Sequence, residues 1–309
     1  KNISSLKKYA LSCALAFLSS LILLTNSAQA EIYKYQDQSG KWHFSDKKPT
    51  KALDNKVKQL TYSSNKTRQT SPYIETKFEQ GKLQYIAHNP YHSTVQCFFR
   101  IKDRQNIRKK ILLEPISSQT VYQSTKDHPQ KLEYNFSYVI GAPNVKHSKK
   151  VYLPPFTDYK PMKISQAFKG RFSHHRQPSL YAVDIAMPVG TKITAVREGT
   201  VINTKDDYAH AGVSSPFFLD KANLIKILHE DGTYAVYAHL LLGSIKVRKG
   251  MHVKAGQVVA LSGNTGYSTG PHLHFAIRYN AGGRTKSLPF KFKQAKKRVT
   301  PFKGMWLLP

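Results

Sequence analysis

The chain has 309 residues, 48 Lys and Arg against 18 Asp and Glu, a formal charge of +30, and 40% hydrophobic content. That length suits about two domains, and the apolar fraction is enough for packed cores. A disordered polyelectrolyte is therefore excluded, and with only two cysteines in the chain so is a small disulfide-stapled scaffold.

Residues 1–30 read as a secretory signal. Lys1, Lys7 and Lys8 form a basic start, Ala10–Leu24 is a short apolar run, and Ala28-Gln29-Ala30 is a small-X-small cleavage site, with cleavage expected after Ala30. The apolar run is too short and serine-interrupted for a comfortable membrane span. Cys13 lies inside this segment, so the exported chain retains Cys97 alone and no internal disulfide is possible. The basic excess calls for a polyanionic partner. Export directs that expectation to an anionic cell-envelope surface rather than nucleic acid; the duller reading is that lysine only maintains solubility.

Residues 31–49 read as a hairpin. Tyr33 and Tyr35 alternate before a Gln-Ser-Gly turn, and Trp42 and Phe44 alternate after it. This stretch resembles the small DUF4124 module, a resemblance that implies no activity. Residues 50–73 lack apolar periodicity and are rich in Lys, Ser, Thr, Asn and Gln, so a linker is expected.

Residues 74–155 read as all-β. Val95, Cys97, Phe99 and Ile101 share one strand face, as do Leu132, Tyr134, Phe136, Tyr138 and Ile140. The spacing of strands and breaks suits an immunoglobulin-like β-sandwich. Cys97 then faces inward as a buried, inert thiol. No catalytic constellation is apparent here, and a spacer or wall-contacting role is expected.

Residues 156–290 hold the chemistry. Short β runs are punctuated by turn-formers such as Glu198-Gly199, Asp231-Gly232, Lys249-Gly250 and Ala255-Gly256. No long helical period interrupts them, so an antiparallel β domain is expected. Residues 291–309 read as a basic tail. From 284 onward there are eight Lys or Arg and no acid, with Phe290, Phe292, Phe302 and Trp306 interleaved. Such a segment suits an anionic surface, or equally an arm packed on the preceding domain.

Within 156–290 one stretch dominates: Gly263, Gly266, Gly270 and Pro271 lead into His272-Leu273-His274-Phe275. Alternation on a strand puts His272 and His274 on one face, and two imidazoles one strand step apart can reach one metal ion. Two other stretches carry related chemistry: Tyr181-Ala182-Val183-Asp184-Ile185-Ala186, preceded by His174 and His175, and Tyr234 to Leu240 around His239. On Asp184's strand, Val183 and Ile185 face a core. His239 shares a parity with Tyr237 and Ala235, so it is expected to point where Tyr237 points.

In their order along the chain, the three motifs resemble the M23 (LytM/lysostaphin-type) zinc metallopeptidases that cut peptidoglycan cross-bridges. The resemblance covers roughly residues 160–290. It implies a β-sheet groove with Zn²⁺ on its floor, held by Asp184, His274 and a third histidine. His272 and His239 then stand beside the metal as the catalytic pair. Their roles, orienting or deprotonating water, stabilising an oxyanion and protonating the leaving amine, are left undivided between them. The family's first motif is His-X-X-X-Asp, but position 180 is Leu. The third ligand is therefore expected from His174, in Phe172-Ser173-His174, with His175 the alternative. No His-Glu-X-X-His is present to supply a glutamate base. Gly263, Gly266 and Gly270 are expected to keep the groove open.

The resulting expectation is a mainly β, exported, periplasmic or envelope-associated monomer. It would act on peptidoglycan peptide cross-links, a D-alanyl–diaminopimelate bond first among them, with no nucleic-acid partner and no transmembrane segment after signal cleavage. The rival is a non-catalytic M23-like wall-binding protein or activator of another wall hydrolase.

Overall fold

The computed structural model describes residues 31–36, 42–45, 58–61, 71–101, 107–124, 132–147, 151–158 and 160–309. The signal expected over 1–30 lies outside the described residues, as does the Gln-Ser-Gly turn of the hairpin. The protein is nearly all β; its single helical element among the described residues is the short 3₁₀ turn Pro216–Asp220. No helix there is long and apolar enough to cross a membrane.

The N-terminal unit is a three-stranded sheet with Glu31–Gln36 between Trp42–Ser45 and Lys58–Thr61. The third strand comes from the segment expected as a linker. Lys58–Thr61 runs antiparallel along Glu31–Lys34. Four residues of Lys, Gln, Leu and Thr carry no readable period, but an open strand edge supplies unpaired N–H and C=O groups that such a segment can satisfy.

Two further three-stranded sheets follow. One orders Tyr73–Glu79, Lys82–Asn89 and Ser117–Gln123; the other orders Arg108–Leu113, Val95–Ile101 and Tyr134–Ile140. They share one apolar cluster, in which Tyr85 and Ala87 of the first meet Val95, Cys97, Phe99, Ile101 and Ile140 of the second. The alternation read from the sequence is thus the packing of a β-sandwich. Cys97 is buried and free, and burial pushes its thiol pKa up to about 12.

The C-terminal domain is built on a large antiparallel sheet. Across it run His252–Val253, Gly199–Lys205, Leu224–Leu228, Tyr234–Ala238, His272–Asn280, Val183–Ala186, Met162–Gln166 and Trp306–Leu307, with Thr285–Ser287 also paired to His272–Asn280. One face is dry: Val183, Ile185, Ile225, Ile227, Ala235, Tyr237, Leu273, Phe275 and Ile277 are all buried in one core cluster. A period-2 pattern that buries one face must present the intervening residues on the other, and that other face floors a groove.

The segment 291–309 is a packed arm rather than a free basic tail. Phe292–Gln294 pairs with Lys297–Val299, and Trp306–Leu307 pairs with the Met162–Gln166 strand. Phe290, Phe292, Met305 and Leu307 join the core, while the lysines between them stay exposed. Apolar residues spaced through a basic segment drive the docking, at roughly 25 cal/mol per Å² buried.

Candidate metal centre

Strand register brings the central residues together. Asp184 lies directly opposite His274 and Ala186 opposite His272 on neighbouring antiparallel strands, and opposed residues share a face. On the far side Ala238 is opposite His274. Val183, Ile185, Leu273 and Phe275 point into the core, so Asp184, His272 and His274 point into the groove.

His174 arrives by a loop. Lys169 N donates to Leu180 O at 2.7 Å, closing the loop at its base, and His174 N donates to Gly170 O at 3.0 Å. Gln177 and Tyr181 anchor it to Ser287: Ser287 N donates to Gln177 Oε1 at 2.7 Å and Tyr181 N donates to Ser287 Oγ at 3.0 Å. Held this way, His174 is buried while His175 is exposed. Leu180, at the place of the resemblance's first histidine, serves as the loop's backbone anchor.

Three ligand atoms converge. His174 Nε2 is 3.2 Å and His274 Nδ1 is 2.9 Å from Asp184 Oδ1, and the two nitrogens are 3.3 Å apart. In a tetrahedral zinc site with bonds of about 2.0 Å, the ligand atoms stand roughly 3.3 Å from one another. The donor set, two imidazoles and a carboxylate, is also the chemistry zinc takes, so these residues fit such an ion. His174 Nδ1 faces the carbonyl of Ala167 at 3.1 Å. A carbonyl only accepts, so Nδ1 carries the proton and Nε2 presents its lone pair.

Asp184 has a second anchor that sequence reasoning missed. Gln166 Nε2 donates to its Oδ2 at 2.8 Å, and Gln166 Oε1 accepts from Phe172 N and Ser173 N. A register shift between Ile164 and Gln166 places Gln166 opposite Asp184. A lone Gln in a strand gives no signal of this. Burial pushes the Asp184 carboxyl up, but its close contacts with His174 and His274 outweigh it and hold the group well below its usual value. Burial drives His274 down, against the pull of Asp184, so its imidazole is biased toward the neutral form a ligand needs.

His239 and His272 flank this cluster, with ring centroids 4.5 Å apart. His239 Nδ1 faces Thr265 O at 2.6 Å and His272 Nδ1 faces Gly270 O at 2.8 Å. The same carbonyl argument puts a proton on Nδ1 of each ring, so in the neutral form Nε2 is the acceptor. His272 Nε2 lies 3.8 Å from Asp184 Oδ1. Burial and the neighbouring imidazoles lower the His239 pKa to about 3, so it rests neutral.

The expectation that His239 points with Tyr237 is overturned. Tyr237 is in the core and accepts a hydrogen bond from Val196 N at 2.8 Å, whereas His239 lines the groove. The strand ends at Ala238, and His239 has φ of +65°. This left-handed turn breaks the alternation and swings the ring to the cleft side; such backbone in a non-glycine residue is concentrated at functional sites.

The glycines also divide differently from expectation. A Cβ on Gly263 would stand 2.5 Å from Leu241 N, and one on Gly266 (φ +78°) 2.5 Å from Ala222 N. Both serve close backbone packing. Only Gly270 faces open space, with nothing within 4 Å. The groove, of about 1130 Å³, is also lined by Phe172, Tyr267 and Phe302, and the Phe172 and Tyr267 rings stack at 6.4 Å.

The model of Peptidase family M23 matches residues 179–286, and that of a domain of unknown function, DUF4124, matches residues 19–72. The M23 match contains Asp184, His239, His272 and His274 but stops short of His174. Lysostaphin of Staphylococcus simulans is 38% identical over 102 residues, 33% of this chain and 18% of its own length. The peptidoglycan DD-endopeptidase ShyA of Vibrio cholerae is 38% identical over 94 residues, 30% of this chain and 19% of its own. The matches thus span about a fifth of those relatives. Among solved structures, the catalytic domain of Staphylococcus simulans lysostaphin aligns at 28% identity over 40% of this chain and 82% of that one, with a TM-score of 0.28. Residues 179–286 of this chain are therefore similar to Peptidase family M23.

Proposed function

We propose that this chain is an exported zinc endopeptidase that hydrolyses peptide cross-links of peptidoglycan, with the D-alanyl–diaminopimelate bond as its target. The observation that carries this reading is the convergence of His174 Nε2, Asp184 Oδ1 and His274 Nδ1 at the spacing of zinc ligands, inside a groove roomy enough for a peptide. Of the two relatives, ShyA is named a peptidoglycan DD-endopeptidase and lysostaphin is described as an antimicrobial peptidase.

In this reading His174, Asp184 and His274 hold the metal. A zinc ion there supplies Lewis-acid chemistry, polarising an amide carbonyl and acidifying water. The chain's own residues do the rest. With Nδ1 held by a carbonyl acceptor, His239 and His272 each turn Nε2 toward the cluster as the atom that exchanges a proton in the neutral ring. Either can take a proton from the attacking water and return it to the leaving amine. Once protonated, either can donate to the oxyanion. Asp184 and Gln166 hold the ligand cluster in register. The N-terminal sheet and the sandwich act as spacers or wall contacts, and the basic surface favours an anionic envelope.

One observation favours the rival, a non-catalytic M23-like wall binder or activator: Leu180 stands where the family's first histidine is expected. The discriminating experiment is zinc analysis of the purified chain together with peptide release from purified sacculi. The enzyme reading expects about one zinc per chain and release that Asp184→Ala and His274→Ala abolish. A chain well under one zinc, or release unchanged by either substitution, rejects it.

A further inference from the structure

The groove floor continues beyond the histidines. Ala238 lies opposite His274, Val236 opposite Ala276 and Tyr234 opposite Arg278, and on the next strand Lys226 lies opposite Val236. Opposed residues share a face, so Lys226 and Arg278 belong to the face that carries His274. Arg278 lines the groove, four residues past His274, or about 13 Å along the strand. There the floor meets the sandwich. Tyr234 and Val236 pack into the sandwich core, and Asn280 Nδ2 donates to Gln96 Oε1 and Gly141 O.

These two cations are poorly compensated. Arg278 Nη2 donates to Ser179 Oγ at 3.3 Å, while its Nε is buried without a partner. Among the described residues, no carboxylate pairs with either side chain. Burial, then the nearby Arg278 charge, lowers the Lys226 pKa to about 8. Two neighbouring cations withdrawn from bulk water without an anion are costly to keep. A packing role would be served as well by uncharged side chains of similar length. An anion entering the groove beside Arg278 would contact its guanidinium and offset the charge of Lys226 nearby, and a guanidinium with a free Nε–H is the fork that carboxylates bind.

We propose that Arg278 and Lys226 form an anion subsite at the sandwich end of the groove, which takes a free carboxylate of the peptide substrate. This rests on the endopeptidase reading and deepens it. The sandwich closes the floor at this point, so the subsite reads a carboxylate carried about two to four extended residues from the scissile bond. Arg278 and Lys226 thereby act as specificity residues, remote from the bond that breaks.

The test compares two cross-linked D-alanyl–diaminopimelyl peptides, identical except that one has free carboxylates and the other carboxamides. With the full chain loaded with zinc, kcat/KM for the free acid should exceed that for the amide by roughly 10- to 100-fold, the range of a charge-assisted hydrogen bond. Arg278→Gln and Lys226→Gln should each shrink that ratio through KM and leave the carboxamide peptide cleaved as before. Arg278→Lys should keep part of the preference. A ratio near one in the unsubstituted chain, or equal loss on both peptides, overturns the subsite. Binding of a fluorescent version of each peptide to the metal-free chain separates this from the parent reading. If neither peptide is cut, the endopeptidase reading fails, but tighter binding of the free acid, lost in Arg278→Gln, still supports the subsite, and equal binding overturns it. Inorganic phosphate competing far better than acetate overturns the carboxylate assignment in favour of a phosphate site.

Discussion

Gln166 Nε2 donates to Asp184 Oδ2 at 2.8 Å, which leaves Asp184 Oδ1 facing His174 and His274. One carboxylate oxygen is tied to the scaffold and the other is offered to the cluster. Groups that orient a ligand from behind typically contribute 10- to 100-fold in metal affinity. Gln166→Ala should therefore weaken zinc binding by roughly that factor, read by competition with a chromogenic chelator. Activity at saturating zinc should largely return. Affinity equal to that of the unsubstituted chain would count against this role.

The two loop histidines should behave oppositely. His174 is buried against Asp184 and His274, and His175 is exposed. His174→Ala should leave the purified chain with little zinc, whereas His175→Ala should keep about one equivalent. Metal analysis of both proteins, with circular dichroism to check folding, decides it. Zinc lost from His175→Ala alone would reassign the ligand.

His239 and His272 lie beside the ligand cluster without belonging to the three-atom group. Their Ala variants should retain zinc but lose about 10²- to 10⁴-fold in kcat, the usual range for a general acid or base. Loss of metal from either variant would make it a ligand instead.

Acid should destabilise the metal-free chain, and His239 should be one cause. Its pKa falls from 6.5 to about 3 on folding. Between those values the unfolded chain binds more protons than the folded one, so stability rises with pH and falls on acidification. The slope from this one group is at most about 1.4 kcal/mol per pH unit. His274, also lowered, acts in the same direction. Asp184, held low, adds a loss only once the pH falls below the ordinary carboxylate range. Urea midpoints at pH 7 and pH 5 should thus diverge less in His239→Gln than in the unsubstituted chain. Equal divergence would contradict the assignment.

Gly263 and Gly270 should tolerate substitution differently. A Cβ at Gly263 meets the Leu240–Leu241 backbone at 2.5 to 2.7 Å, and one at Gly270 meets nothing within 4 Å. Gly263→Ala should cost about 1–3 kcal/mol, as overpacking does, and Gly270→Ala should be near neutral in thermal melts. A stable Gly263→Ala would mean that the Leu240–Leu241 turn yields easily.

Alternation along single strands was enough to place His272 and His274 on one face of their strand with Leu273 and Phe275 on the other, to turn Asp184 away from Val183 and Ile185, and to put Cys97 on an inward face. Period-2 geometry is a local property of the backbone, so a strand discloses its own two faces. The sequence did not decide between His174 and His175, which depended on a loop pinned to Ser287. Nor did it show His239 turning into the cleft, which took one left-handed residue. The strand at Lys58–Thr61, the docked C-terminal arm and the support of Asp184 by Gln166 are likewise pairings between distant segments. Such contacts depend on register and chain path, which the whole packed sheet sets and no short stretch contains.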